Sequence, residues 1–100
     1  MFYKVLKPKD LINEDVKFEH KVLLENGEGS FNLMSLKKHE IIDTHTANAE
    51  AAVYVVDGKI EIHFSAEKFE LDKGEMIMFK RDDEHKVLAL KDSQFFVIKV

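Results

Sequence analysis

Two histidines, His45 and His85, are the residues of this chain best suited to chemistry. Each lies beside a turn signal at the edge of a β-type run, with Asp43 just before His45 and a run of three acids just before His85. Alternate residues of a strand point to the same side, so Asp43 and His45 are expected to face inward together. Two imidazoles and a carboxylate form the donor set of a facial triad for Fe(II), Mn(II) or a related divalent metal.

The remaining candidate donors are weaker. His20, His39 and His63 have charged neighbours or lie on the polar face of a run, and they are predicted to be solvated surface residues. Glu50 is a further oxygen donor close to His45 in sequence. The chain has no cysteine, which removes thiolate ligands and a cysteine nucleophile. By composition alone, a set of rim residues without metal is favoured over a metal site.

The elements that must position these residues are short β-type runs separated by turn signals. The segment ENGEGS predicts one hairpin turn, and Asp57-Gly58 between two β-rich runs predicts another. Only residues 9–17 indicate a helical turn or two. Strands at short, regular spacing predict an all-β fold, either a sandwich or a closed barrel.

Length and charge limit the possible functions. The 100 residues are enough for one domain, and the net charge of -4 comes from acids and lysines interspersed throughout, so no nucleic-acid partner is expected. The longest apolar run, six residues, is far too short for a membrane span, and the N-terminus lacks the apolar core of a signal peptide. We therefore expect a cytoplasmic protein.

Several strands are apolar on both faces, which requires two coverings. The runs FNLMSL, MIMF and FFVIKV have no polar side. A strand that is apolar on both sides is buried twice, once by the core and once by another layer. That layer is either a second copy, giving a homodimer, or the N-terminal segment MFYKVL folded over the sheet. The sequence does not choose between them.

From His39 to Gly58 the chain resembles the first motif of the cupin family. That motif runs glycine, H-x-H, glutamate and a closing glycine. Here Asp43 stands in place of the first histidine, His45 matches the second, Gly58 matches the closing glycine, and His39 replaces the opening one.

A second segment, GEMIMFKRDDEHKVLA, resembles the second cupin motif in its spacing. Gly74 and His85 match, whereas Lys80, Asp82 and Ala89 replace the proline, the glycine and the asparagine of the motif. The resemblance implies a single small cupin domain over residues 1–100, an all-β double-stranded β-helix of the jelly-roll type. Residues 1–30 would form lead-in strands, and residues 31–100 the barrel with both motifs.

The motif glutamate is the main departure from the family pattern. Counting back from Gly58 places Ala51 at that position, whereas counting forward from His45 places Glu50 there. A one-residue slip would exchange the two faces of the strand, so pairing near Gly58 is the stiffer constraint. We therefore expect Ala51 in the glutamate position and Glu50 at the rim of the pocket.

The resemblance leaves three functions open. The first is a small-molecule-binding cupin with a partial divalent-metal site at His45 and His85, assisted by Asp43, holding Fe, Mn, Ni or Zn weakly or not at all. The second is a cupin metalloenzyme, a dioxygenase or isomerase acting on a small polar substrate. The third is a non-catalytic dimeric sensor or structural module. The order of preference is first, third, second, because one fold hosts many unrelated activities.

Overall fold

The computed structural model describes residues 3–100 and consists almost entirely of strands. Nine strands follow one short 3-10 helix at Pro8–Leu11, which is all that forms where the sequence indicated a helical turn over residues 9–17. The strands, numbered in chain order, are β1 Phe18–Asn26, β2 Gly29–Leu36, β3 Ile41–Thr46, β4 Ala51–Asp57, β5 Lys59–Phe64, β6 Lys68–Asp72, β7 Met76–Phe79, β8 Glu84–Ala89 and β9 Ser93–Lys99.

These strands form two sheets that pack face to face. One sheet has the order β1-β2-β9-β4-β7, and the other has the order β3-β8-β5-β6. Every strand pair is antiparallel. The predicted all-β jelly roll, a double-stranded β-helix, is confirmed.

One of the two predicted hairpins is correct and the other is wrong. The segment ENGEGS turns β1 directly back onto β2, with Asn26 opposite Gly29. In contrast, Asp57-Gly58 joins β4 of the five-stranded sheet to β5 of the four-stranded sheet, so the flanking strands are not partners. Asp57-Gly58 therefore does form a turn, as predicted, but the turn is a corner between the two sheets and not a hairpin.

The core lies between the inner faces of the two sheets. Strict alternation along β4, β5 and β8 supplies most of it, as the two-residue period of a strand requires. The buried cluster consists of Leu36, Val53, Val55, Ile60, Ile62, Leu71, Val87, Ala89 and Phe95. It fills one end of the space between the sheets.

Gly58 occupies a corner that admits no side chain. Its φ of +87° lies in the left-handed region, and a Cβ atom built there would lie 2.4 Å from both the Asp92 backbone oxygen and the Ser93 Oγ. The next residue, Lys59, donates its backbone N–H to the same Ser93 Oγ at 3.0 Å. The corner between the sheets is thus hydrogen-bonded directly to the start of β9.

Two residues other than glycine also have left-handed backbone conformations. His39, between β2 and β3, has a φ of 75°, and Asp82, between β7 and β8, has a φ of 74°. Each is anchored through its backbone N–H at 2.8 Å, His39 to the Ala89 carbonyl and Asp82 to the Ala47 carbonyl. Both stand where the resemblance places a glycine of the family motifs, the residue type that adopts this conformation most readily.

The outer face of the five-stranded sheet is apolar and is only partly covered by this chain. Cross-strand pairing places Tyr54 beside Phe96 and Met76, and Met76 and Met78 are 55% and 76% exposed. At one end of this face, Gln94 donates its side-chain N–H to the Pro8 carbonyl at 2.7 Å. Tyr3 and Val5 are largely exposed, and Met1 and Phe2 of the predicted covering segment lie outside the described residues.

Among residues 3–100, no helix has the length and apolarity needed to cross a bilayer.

Candidate binding site between the sheets

A cavity of about 200 Å³ opens between the sheets, beside the packed core. Its walls are mainly apolar, and a few polar groups converge on it. The residues lining it are His20, Asn32, Met34, Ile42, His45, Thr46, Ala47, Asn48, Ala49, Ala51, Val53, Phe79, His85, Val87, Phe95, Val97 and Lys99. An apolar pocket with a few placed polar groups is the usual form of a small-molecule site.

His45 and His85 meet directly in this cavity. They are cross-strand partners in the pairing of β3 with β8, although forty residues separate them in the sequence. Their ring centroids lie 4.2 Å apart in an edge-to-face arrangement. Both imidazoles are therefore presented to the same space, as the spacing of the two motifs implied.

The backbone holds both imidazoles in the same tautomer. The Nδ1 atom of His45 lies 3.0 Å from the Asp43 carbonyl oxygen, and that of His85 lies 3.0 Å from the Asp83 carbonyl oxygen. A carbonyl oxygen can only accept, so each Nδ1 carries the proton and donates it. Each Nε2 is then left with a free lone pair, ready to accept a hydrogen bond or to coordinate a cation.

His85 is the more buried of the two and is favoured in its neutral form. It is only 6% exposed, and the Phe79 ring lies 4.6 Å from its own. Burial lowers the pKa of His85 below its ordinary value, and neighbouring His45 and Lys99 lower it further, against an opposing contribution from the hydrogen bond to Asp83. His85 is therefore a hydrogen-bond acceptor in the cavity at neutral pH.

Asp43 does not join the histidine pair. The pairing of β3 with β8 shifts between Ile42 and His45, so a bulge inserts one extra residue. Ile42 and His45 consequently both line the cavity, three residues apart, and the expected i, i+2 relation of Asp43 to His45 is lost. The Asp43 carboxylate is exposed and accepts the backbone N–H of Thr44 at 2.7 Å.

Ala51 and Glu50 lie on opposite sides of the cavity wall. Ala51 is buried at the start of β4 and lines the cavity. Glu50 is exposed, and its carboxylate lies 4.0 Å from the Lys80 ammonium, outside the cavity. Ala51, which we expect at the glutamate position of the motif, thus presents a methyl group to the cavity.

The family model described as the cupin domain matches residues 32–100 of this chain. That match covers well over half of the sequence and includes both motif segments.

The chain is a cupin.

Solved structures agree with this fold. Among them, a conserved protein of unknown function from Streptococcus pyogenes has 22% identity and a TM-score of 0.86, over 100% of this chain and 89% of its own. A cupin superfamily protein from Desulfitobacterium hafniense has 13% identity and a TM-score of 0.86, over 93% and 85%. An RmlC-like cupin with a double-stranded β-helix fold from Methanocaldococcus jannaschii has 16% identity and a TM-score of 0.80, over 100% and 92%.

At these identities the likeness establishes the fold alone. No curated protein matches the chain.

Three polar residues of this cupin's cavity were not identified from the sequence. His20, taken as a surface residue, does stay exposed, but it also lines the cavity, and its Nε2 lies 2.7 Å from the Asn32 Oδ1. Lys99 lies two residues beyond Val97 on the inner side of β9. Each of the three lies two residues from an apolar strand residue: His20 from Phe18, Asn32 from Met34, and Lys99 from Val97. Because alternate residues of a strand face the same side, this spacing could have placed all three on the inner face of the sheet.

A closed metal centre does not fit the donors of this cupin. Within residues 3–100 no group of three or more histidines, cysteines or acids is placed to hold a metal ion. Two imidazole nitrogens are present, but the Asp43 carboxylate is engaged elsewhere, and Ala51 has no donor atom. Structural sites for divalent transition metals usually take four protein ligands, and catalytic sites usually take three.

Proposed function

We propose that this cupin binds a small organic molecule in the cavity between its sheets, with His45 and His85 as the groups that orient it. The observation that supports this most is the pair of imidazoles with backbone-fixed tautomers at the wall of an otherwise apolar cavity. Two preset acceptors give direction, and the apolar wall gives affinity by excluding water.

The size of the cavity limits the ligand. A volume of about 200 Å³ lies below the 300–1,000 Å³ that is typical of pockets for drug-sized compounds. A compact metabolite with a short apolar body therefore suits the site. The cytoplasm, expected from the sequence, is a compartment in which such metabolites are plentiful.

Truncation of His45 to alanine is expected to weaken ligand binding about tenfold, since a directed hydrogen bond contributes about 1.5 kcal/mol. Amide chemical-shift titration with a fragment library of small hydroxylated acids, amides and alcohols measures this. Bound fragments should shift the signals of residues that line the cavity.

A matched control for this experiment is His63→Ala. His63 lies on the outer face of β5, where its ring pairs with the Glu61 carboxylate away from the cavity. Its removal should leave fragment affinity unchanged. Shifts confined to the outer surface, or equal losses in both variants, would contradict the assignment of the cavity as the binding site.

A weak divalent-cation site at His45 and His85 is a second candidate. The observation in its favour is the pair of Nδ1–H···O=C hydrogen bonds, the arrangement that orients metal-binding histidines in known sites. Asp43 could complete a three-donor set only by releasing the Thr44 amide. Bound Fe, Mn, Ni or Zn would supply Lewis-acid chemistry, and the alternative of a dioxygenase or isomerase depends on this cation.

We also propose that the outer face of the five-stranded sheet pairs with a second copy of the chain. Its exposed side chains include Tyr54, Met76 and Met78, whereas Leu33 and Gln94 of the same face are buried, and Gln94 bonds the N-terminal segment. Aromatic residues and methionine are enriched in protein interfaces. A non-catalytic dimeric module, the third function considered, would use this same face.

Light scattering is expected to give twice the 11.6 kDa mass of one chain. Met78→Glu should shift the protein towards the single-chain mass, because it places a charge in an apolar interface. Ile41→Glu, at an apolar residue of the other sheet that is 55% exposed, should leave the mass unchanged. A wild-type mass of 11.6 kDa at micromolar concentration would rule out this dimer.

A further inference from the structure

Lys99 is the one lysine among the residues that line the cavity, and no carboxylate lines it. The side chain is half-buried, and within the described chain it forms no ion pair with any acidic group. Placing an ammonium at a mostly apolar cavity without a counter-ion costs free energy. Such a group is a natural partner for a ligand that brings the negative charge.

In the pairing of β4 with β9, Lys99 lies directly opposite Ala51. Directly opposed residues have Cβ atoms about 5 Å apart, so a glutamate at position 51 would be within reach of the Lys99 ammonium. With alanine there, the carboxylate that the family motif supplies is absent, and the positive charge is left unbalanced. A negatively charged ligand group would balance this charge.

A second polar wall is built from His20 and Asn32. Asn32 is 3% exposed, and its amide is fully used: Nδ2 donates to Ser30 Oγ at 2.9 Å and to the Val97 carbonyl at 3.0 Å, and Oδ1 accepts from His20 Nε2 at 2.7 Å. The His20 ring is therefore held at the cavity by a buried residue that is itself held at two further points. No part of this wall carries negative charge.

The imidazole pair of His45 and His85 requires a hydrogen-bond donor on the ligand, whereas Lys99 requires a negatively charged acceptor. Because both Nδ1 atoms donate to backbone carbonyls, the Nε2 atom of each neutral imidazole accepts a hydrogen bond from a ligand donor. A carboxylate placed there would meet lone pairs, whereas a hydroxyl would find acceptors. The cavity therefore suits a ligand that places a negative charge near Lys99 and a hydrogen-bond donor near His45 and His85.

We propose that the ligand of this cavity is a small hydroxy acid, whose carboxylate pairs with Lys99 and whose hydroxyl donates to the imidazole pair. This rests on the proposed function, since it names the chemical class that the same cavity takes. The apolar walls around Phe79, Phe95 and Val97 would cover the hydrocarbon body of such an acid.

Three related probes separate the two polar contacts. Mandelate carries both groups, mandelamide lacks the charge, and phenylacetate lacks the hydroxyl. Calorimetric titration in the presence of a chelator is expected to rank mandelate first, about tenfold or more tighter than either of the others. One charge-assisted hydrogen bond lost corresponds to a change of this size.

Lys99→Met should abolish the preference for mandelate over mandelamide while keeping the length of the side chain. Lys99→Arg should retain the preference, because it keeps the charge. Lys73→Met, at an exposed lysine of the β6–β7 turn, is the matched control and should bind as the wild type does.

The outcomes distinguish this inference from the proposed function. Equal affinity of the wild type for mandelate and mandelamide, or a preference that survives Lys99→Met, would overturn the hydroxy-acid assignment while leaving the cavity as a binding site. Binding of none of the three probes, together with no cavity shifts from the fragment library, would overturn both.

Discussion

Replacement of Gly58 by alanine is expected to destabilise the fold by roughly 3 kcal/mol, the largest effect that a single added methyl group should have in this chain. The φ of +87° disfavours any L side chain, and the new Cβ would lie 2.4 Å from the Asp92 backbone oxygen. Backbone cannot move aside as a flexible side chain can. Urea unfolding followed by circular dichroism, at fixed protein concentration, gives the free energy of unfolding.

Gly74 provides the matched control. Its φ of +88° is nearly that of Gly58, but a Cβ atom there would meet nothing within 4 Å. Gly74→Ala should therefore cost only the conformational part, roughly 1 kcal/mol. The difference between the two variants isolates the steric contribution of the corner between sheets. Equal losses would show that φ alone sets the cost and that the corner has room to adjust.

Introducing the motif carboxylate is expected to convert the histidine pair into a metal site. In Ala51→Glu combined with Lys99→Met, a glutamate faces the cavity that His45 and His85 line, and the lysine that would neutralise it is gone. Two imidazoles and one carboxylate suit Mn(II) and Fe(II). We expect Mn(II) affinity to rise about 100-fold over the wild type, a change of about 2.7 kcal/mol.

Calorimetry with Mn(II) measures this gain, and two further variants test its cause. Ala51→Gln with Lys99→Met keeps the size of the side chain without the charge and should recover little of the affinity. Adding His45→Ala to the glutamate variant should remove the gain. If the glutamate variant is folded, as judged by its amide spectrum, yet binds Mn(II) no better than the wild type, the cavity does not bring these three positions together as a site.

The fold was predictable because its signals are local and repeated. Alternation in KIEIHF gave the inner face of β5 correctly, with Ile60 and Ile62 in the core. The two motif histidines were predicted to share a site, and the structure pairs His45 with His85. Spacing within a strand and between motifs survives in the sequence even where the motif letters are lost.

What escaped prediction depends on long-range pairing. The bulge between Ile42 and His45 removes Asp43 from the inner face, and it arises from the register with β8, which no local pattern records. Asp57-Gly58 reads as a hairpin locally but turns between sheets, because β4 pairs with β7 and β9 instead of β5. Lys99 was overlooked because its meaning depends on the residue opposite, Ala51, almost fifty positions away.

The left-handed conformations of His39 and Asp82 bear on how far this protein can be improved. Non-glycine residues in this region of φ/ψ space carry a conformational cost, smallest for short polar types and for histidine. Both residues are exposed, and neither lines the cavity. Replacing either by glycine would therefore raise the thermal stability of the protein without altering its choice of ligand. Evolution towards a new ligand in this cavity, which will usually destabilise the core, has two sites at which the loss can be recovered.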